Sequence, residues 1–158
     1  MPEWLSAPFD LRPAPIYRKF MPDEIRKLDY YNVSVPDKPG EAARILTALE
    51  QAGVNLIAFS GFPQGARKSQ LDFIAEDSTA LKKAMRTAGL TLGAKKTGFM
   101  MQGEDHPGAA AAIARKLAEA GINLTSMQIV CAGGGRYGGI FWVEPADVRK
   151  AAKVLGAA

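Results

Sequence analysis

The sequence predicts an α+β protein of two tandem βαββαβ units with antiparallel sheets, the second copy lacking a clear final strand. Three observations predict it. The segment DKPGEAARILTALEQAGVNL at 37–56 aligns without gaps on DHPGAAAAIARKLAEAGINL at 105–124, and 11 of the 20 aligned pairs are identical, far above chance for unrelated segments. The same offset continues to Gly65/Gly133, Phe73/Phe141, Glu76/Glu144 and Lys82/Lys150, so a whole domain is repeated. Within each copy the apolar spacing changes from strand-like to helical in the same order. Three parts follow: an N-terminal arm at 1–29 rich in proline and aromatics, a first unit at 30–97 and a second at 98–158.

In the first copy, YYNVSV at 30–35 has the β-branched and aromatic content of a strand, which Pro36 to Gly40 breaks. Pro39 and Gly40 suit a helix start. Ala42, Ile45, Leu46, Leu49 and Gly53 then form one apolar stripe, with Arg44, Thr47, Glu50 and Gln51 facing water. Gly53 closes the helix. VNLIAFSGF and SQLDFIAE read as a hairpin turning at Pro63 to Arg67, with Ile57, Phe59 and Phe73 on packed faces. Ser78 is placed to cap a helix at about 79–88, Gly89 to end it, and LTLGAKKT at 90–97 to form a fourth strand.

The second copy reads as a strand at 99–103, a helix at 108–120, strands at 122–130 and 137–144 carrying Met127, Ile129 and Phe141, and a helix at about 146–155. Three residues then remain, too few to cross a sheet. Its edge is expected to be short, or completed by the 95–103 segment or by the arm, because bare edges invite aggregation. Five of the ten prolines and four of the thirteen aromatics lie in the arm. The arm is expected to dock as an extended segment, with Pro22, Asp23 and Glu24 opening one short helix ahead of the first strand.

Composition narrows the function. The 158 residues are 47% hydrophobic and 23% charged, a profile for one or two packed domains. No run is apolar enough for a membrane helix, and MPEWLSAPFD lacks the pattern of a secretion signal, so a cytoplasmic location is expected. One cysteine, Cys131, permits neither an internal disulfide nor a thiolate metal cage, and one histidine, His106, removes schemes needing two imidazoles. No metal, no cofactor and no catalytic residue is therefore expected. The net charge of +4 is scattered: the three parts carry 0, +3 and +1, without the basic run interleaved with aromatics that marks nucleic-acid binding.

The two aligned segments resemble the opening of an ACT domain, the small ferredoxin-like regulatory module found on enzymes of amino-acid metabolism. The resemblance covers residues 30–158 and rests on a strand, a D-x-P-G turn, an amphipathic helix and G-[VI]-N-L, present twice in register. In ligand-binding members an amino acid sits between two such domains, held by the turn before the first helix and by the asparagine opening the second strand. The resemblance thus implies ligand-binding roles for Asp37, Lys38, Gly40, Asn55 and Leu56 in the first copy. In the second copy it implies them for Asp105, His106, Gly108, Asn123 and Leu124. Unlike the phosphoglycerate dehydrogenase pattern, this chain has aspartate in place of a carboxamide, and Val35 or Gly103 in place of a histidine.

The chemistry agrees with that implication. A free amino acid needs donors for its carboxylate and an acceptor for its ammonium, and a helix start offers unpaired N–H groups at the positive end of its dipole. Asp37 or Asp105 supplies the acceptor, while Asn55 or Asn123 both gives and accepts. The plainer alternative is that each aspartate caps its helix and each asparagine closes a turn. Lys38 beside Asp37 favours the first copy. The glycine-rich CAGGGRYGG at 131–139 reads as a hairpin turn, lacking phosphate-loop spacing, and Cys131 and Met100, Met101 and Met127 read as packing residues.

The expected function is a small-molecule sensor that binds an amino acid or similar metabolite and modulates a partner, a regulated enzyme being one candidate, as a homodimer, with membrane and nucleic-acid partners not expected. Two alternatives stay open: a metabolite-linked regulator of gene expression, and a small enzyme on a ferredoxin-like sheet.

Overall fold

A computed structural model describes residues 24–131 and 133–157, and the expected docking of the arm before residue 24 lies outside them. The elements are β1 (Glu24–Pro36), α1 (Glu41–Gln51), β2 (Leu56–Pro63), β3 (Lys68–Ala75), α2 (Ser78–Thr87), β4 (Lys96–Glu104), α3 (Ala109–Glu119), β5 (Leu124–Cys131), β6 (Arg136–Val143) and α4 (Val148–Leu155). A 3-10 turn at Pro145–Asp147 leads into α4. The chain divides into a unit at 28–98 and a unit formed by 99–157 with 24–27.

In the first unit β3 lies between β1 and β2, antiparallel to both, with Tyr31 and Phe59 each opposite Phe73. Strand alternation sends Tyr31, Val33, Val35, Leu71 and Phe73 to the face covered by the helices, where Ile45, Leu49, Leu81 and Met85 bury against them. Each such side chain contributes about 1.5–3 kcal/mol by leaving water. Phe59 is an exception at 37% exposed, although its ring centroid lies 5.3 Å from that of Phe73. Asp77, one residue before the expected cap Ser78, opens α2: its carboxylate accepts from the N–H groups of Thr79 and Ala80 at 2.7 and 3.0 Å.

The expected fourth strand at 90–97 does not form as a separate element. Residues 90–95 have no regular structure, and 96–97 begin β4. Gly93 explains the irregularity: its N–H donates to the Asn32 carbonyl at 2.8 Å, and a Cβ there would collide with Asn32 Oδ1. The backbone therefore approaches β1 more closely than side-chain-bearing residues permit.

In the second unit β6 lies between β4 and β5, with Phe99 and Met127 opposite Phe141. Phe99 and Phe141 are fully buried and stacked, 5.0 Å between centroids. Met101, Ile113, Leu117 and Ala151 complete the core, with Met127 and Ile129 packed at its margin. Here Glu24 to Lys27, expected to open a short helix, is strand. Ile25 packs on this core, while Gln102 Nε2 donates to Glu24 Oε2 at 2.5 Å and Arg26 Nη2 donates to Met100 Sδ at 3.8 Å. The start of β1 thus lies along β4, where the repeat's own sequence supplies no strand.

Candidate functional site

Both D-x-P-G turns build the same frame. Gly40 and Gly108 stand immediately before α1 and α3 with φ of 94° and 91°, a left-handed conformation that glycine adopts without a Cβ penalty. No side chain caps either helix. The aspartates are anchored elsewhere: the Asp37 N–H donates to the Arg67 carbonyl and the Asp105 N–H to the Gly135 carbonyl, each at 2.8 Å. Each turn is therefore pinned to the hairpin of its own unit. In the first unit that hairpin places Gly65, Ala66 and Arg67 in the left-handed region; in the second, three glycines at 133–135 take the same path.

The side chains of the two aspartates have different partners. Ser69 Oγ donates to Asp37 Oδ1 at 2.8 Å, so the capping role open to Asp37 is not the one it takes. In the second unit the Cys131 thiol bonds the Asp105 carboxylate, and this bond, with some burial and the carboxylate's charge, raises the thiol above its ordinary pKa. Cys131 is exposed, not the buried hydrophobe expected, because it ends the edge strand β5 beside this turn. Ser69 and Cys131 belong to corresponding rungs, Pro63↔Ser69 and Cys131↔Tyr137, but to opposite strands of the hairpin. A carboxylate offers about four acceptor positions, so either aspartate retains capacity for an ammonium.

Charge separates the copies further. Lys38 Nζ lies 3.5 Å from Glu41 Oε1, and Arg44 Nη2 lies 3.0 Å from Glu41 Oε2. The Arg44 hydrogen bond, together with the nearby positive charges, holds Glu41 below the usual carboxylate range. An anion already occupies the first turn of α1. At the matching positions α3 has Ala109 and Ala112, leaving its positive end without an acidic residue in the first turn. His106 Nδ1 lies 3.1 Å from the Pro107 carbonyl oxygen. One residue before Asp105, Glu104 Oε2 is buried with no hydrogen-bond partner among the described residues.

The asparagines do not join the aspartates of their own repeat. Asp37 contacts Ser69 at the start of β3, whereas the Asn55 carbonyl accepts from the Glu76 N–H just beyond its end. Seven residues of strand place these points about 23 Å apart. Asn123 follows α3 just as Asn55 follows α1, an 11-residue helix, or about 16 Å, beyond its turn. Leu56 and Leu124 are half-buried against the two cores. Spacing along the sequence concealed this separation, since a helix and a hairpin carry the two ends of the motif apart.

Among the described residues no group of histidine, cysteine or acid side chains is arranged to hold a metal, and no helix is long and apolar enough to cross a membrane.

The ACT-domain profile matches twice, at residues 32–87 and 99–158. Protein BT0572 from Bacteroides thetaiotaomicron has a similar fold, with a TM-score of 0.71, 18% identity, and coverage of 84% of this chain and 88% of its own. The ligand-free regulatory subunit of aspartate kinase from Thermus thermophilus gives 0.59 at 16% identity, over 88% of this chain and 97% of its own. The Thermus flavus regulatory subunit gives 0.54 at 18%, over 85% and 94%. No curated protein matches by sequence. With two matches to the family profile that together span most of its length, the chain belongs to the ACT-domain family.

Proposed function

We propose that this protein is a tandem ACT sensor that binds a free amino acid at a D-x-P-G turn and transmits occupancy to a regulated enzyme. The observation that carries the reading is the paired frame: a left-handed glycine opening a helix beside an aspartate pinned to a hairpin. Helix-start N–H groups suit the ligand carboxylate and the aspartate suits its ammonium. The primary site in this reading is the second turn. At α1 the helix start is already taken by Glu41 and the two cations paired with it, whereas α3 begins on alanines and leaves that space to a ligand carboxylate. The asparagine of the same repeat lies a helix length away from its turn and takes no part in holding this ligand.

Regulatory subunits of aspartate kinase with this fold support an enzyme of amino-acid metabolism as the partner. Binding acts by favouring one packing of modules over another. A homodimer belongs to the same reading, because β5 is an edge strand with Val130 65% exposed. A thermal-shift screen against the twenty amino acids tests the proposal. A true ligand at a hundred times its dissociation constant adds about 2.7 kcal/mol, or roughly 5–11 °C at this chain length. If none of the twenty raises the midpoint, the proposal fails.

A further inference from the structure

Away from both turns, the first unit contains a cleft of about 310 Å³ between α2, Tyr31 of β1 and the irregular segment after Gly89. Its apolar wall is Tyr31, Met85, Leu90 and Leu92, and its charged rim is Lys82 and Arg86. The cleft exists because residues 90–93 leave regular structure, held to β1 by the Gly93 bond to Asn32. Lys82 Nζ stands 5.1 Å from the Tyr31 ring centroid, so a cation is poised directly over the aromatic wall. Among the described residues no carboxylate pairs with Lys82 or Arg86, and none lines the cleft.

We propose that this cleft is a second ligand site, specific for a small apolar monocarboxylate that lacks an α-ammonium group. Its volume is at the small end of ligand sites, about 300–1,000 Å³. Arg86 offers a planar fork that matches a carboxylate, Lys82 adds a second positive charge, and the apolar wall accepts a ring or branched chain. An amino acid is disfavoured, because its ammonium meets two cations and no carboxylate. The two kinds of site thus divide along chemistry: zwitterions at the aspartate turns, deaminated acids in the cleft.

The test uses 3-phenylpropanoate and 4-methylpentanoate against L-phenylalanine and L-leucine, which add only the amine. Amide NMR titration of the whole chain reads location and affinity together. The expected result is saturable shifts at Tyr31 and residues 82–93 with the two acids, and none there with the amino acids. Lys82→Ala with Arg86→Ala, both exposed on α2, should weaken the acids by about tenfold or more. Leu92→Trp, which fills the apolar wall and keeps the charge, should abolish the same shifts. Absence of saturation at this cleft, equal shifts there from L-phenylalanine, or unchanged affinity in the folded double variant would each overturn the proposal.

Discussion

Gly108→Ala isolates the conformational demand of the turn from the space around it. At φ 91° and ψ 1° an alanine is forced into the left-handed region, which costs about 1–2 kcal/mol. A Cβ built there meets nothing within 4 Å, so no clash adds to that cost. The smaller unfolded-state entropy of alanine returns about 0.4–1 kcal/mol, leaving a net loss near 1 kcal/mol. Urea unfolding followed by far-UV circular dichroism should show that loss at unchanged slope, with a midpoint temperature about 2–4 °C lower. Gly108→Asn should lose less, since asparagine tolerates the left-handed region. Gly139→Ala supplies the contrast: its Cβ would lie 2.6 Å from the Gln128 carbonyl and 2.7 Å from Met101 Cε, an overpacking cost of about 1–3 kcal/mol. An unchanged stability for Gly108→Ala, or a loss above about 3 kcal/mol, would refute the reasoning.

Three further outcomes are expected. Phe141→Ala empties a fully buried site stacked on Phe99 and should cost about 3–5 kcal/mol in urea unfolding. Asp77→Ala removes two bonds at the start of α2 and should cost about 1 kcal/mol, with Asp77→Asn nearly neutral. Asp72 is buried, and desolvation raises its pKa, partly offset by hydrogen bonds from Gln70 and Ser60 and by the Lys96 charge. A carboxylate whose folded pKa is raised stabilises the fold below its unfolded pKa, and that stability is lost as pH rises through the folded value. Asp72→Asn should therefore be more stable than the parent at neutral pH and equal to it in acid; a parent more stable at neutral pH would contradict the assignment.

The repeat made most of each unit legible, because strands, helices and the D-x-P-G turn are local patterns. What escaped was non-local. Glu24 to Lys27 carries three charges after Pro22-Asp23 and resembles a helix start, yet its strand state depends on Ile25 finding a core that begins at Phe99. LTLGAKKT has strand composition, but Gly93 trades a ladder for one close contact with Asn32. At the turns, the residue types were readable and their partners were not. Ser69 and Cys131 reach the aspartates through hairpin register, and Lys38 turns to Glu41 three residues on. The distance between Asp37 and Asn55 emerges only once α1 and the β2–β3 hairpin are laid out in space.

In the proposed function a zwitterionic ligand is held at the second turn. Titration calorimetry with the amino acid that most raises the unfolding midpoint tests it on the parent chain, Asp105→Ala and Asp37→Ala. Loss of a charge-assisted bond of about 1.5–3 kcal/mol predicts roughly tenfold to hundredfold weaker binding for Asp105→Ala, with Asp37→Ala within about threefold of the parent. Full affinity retained by Asp105→Ala would contradict the account.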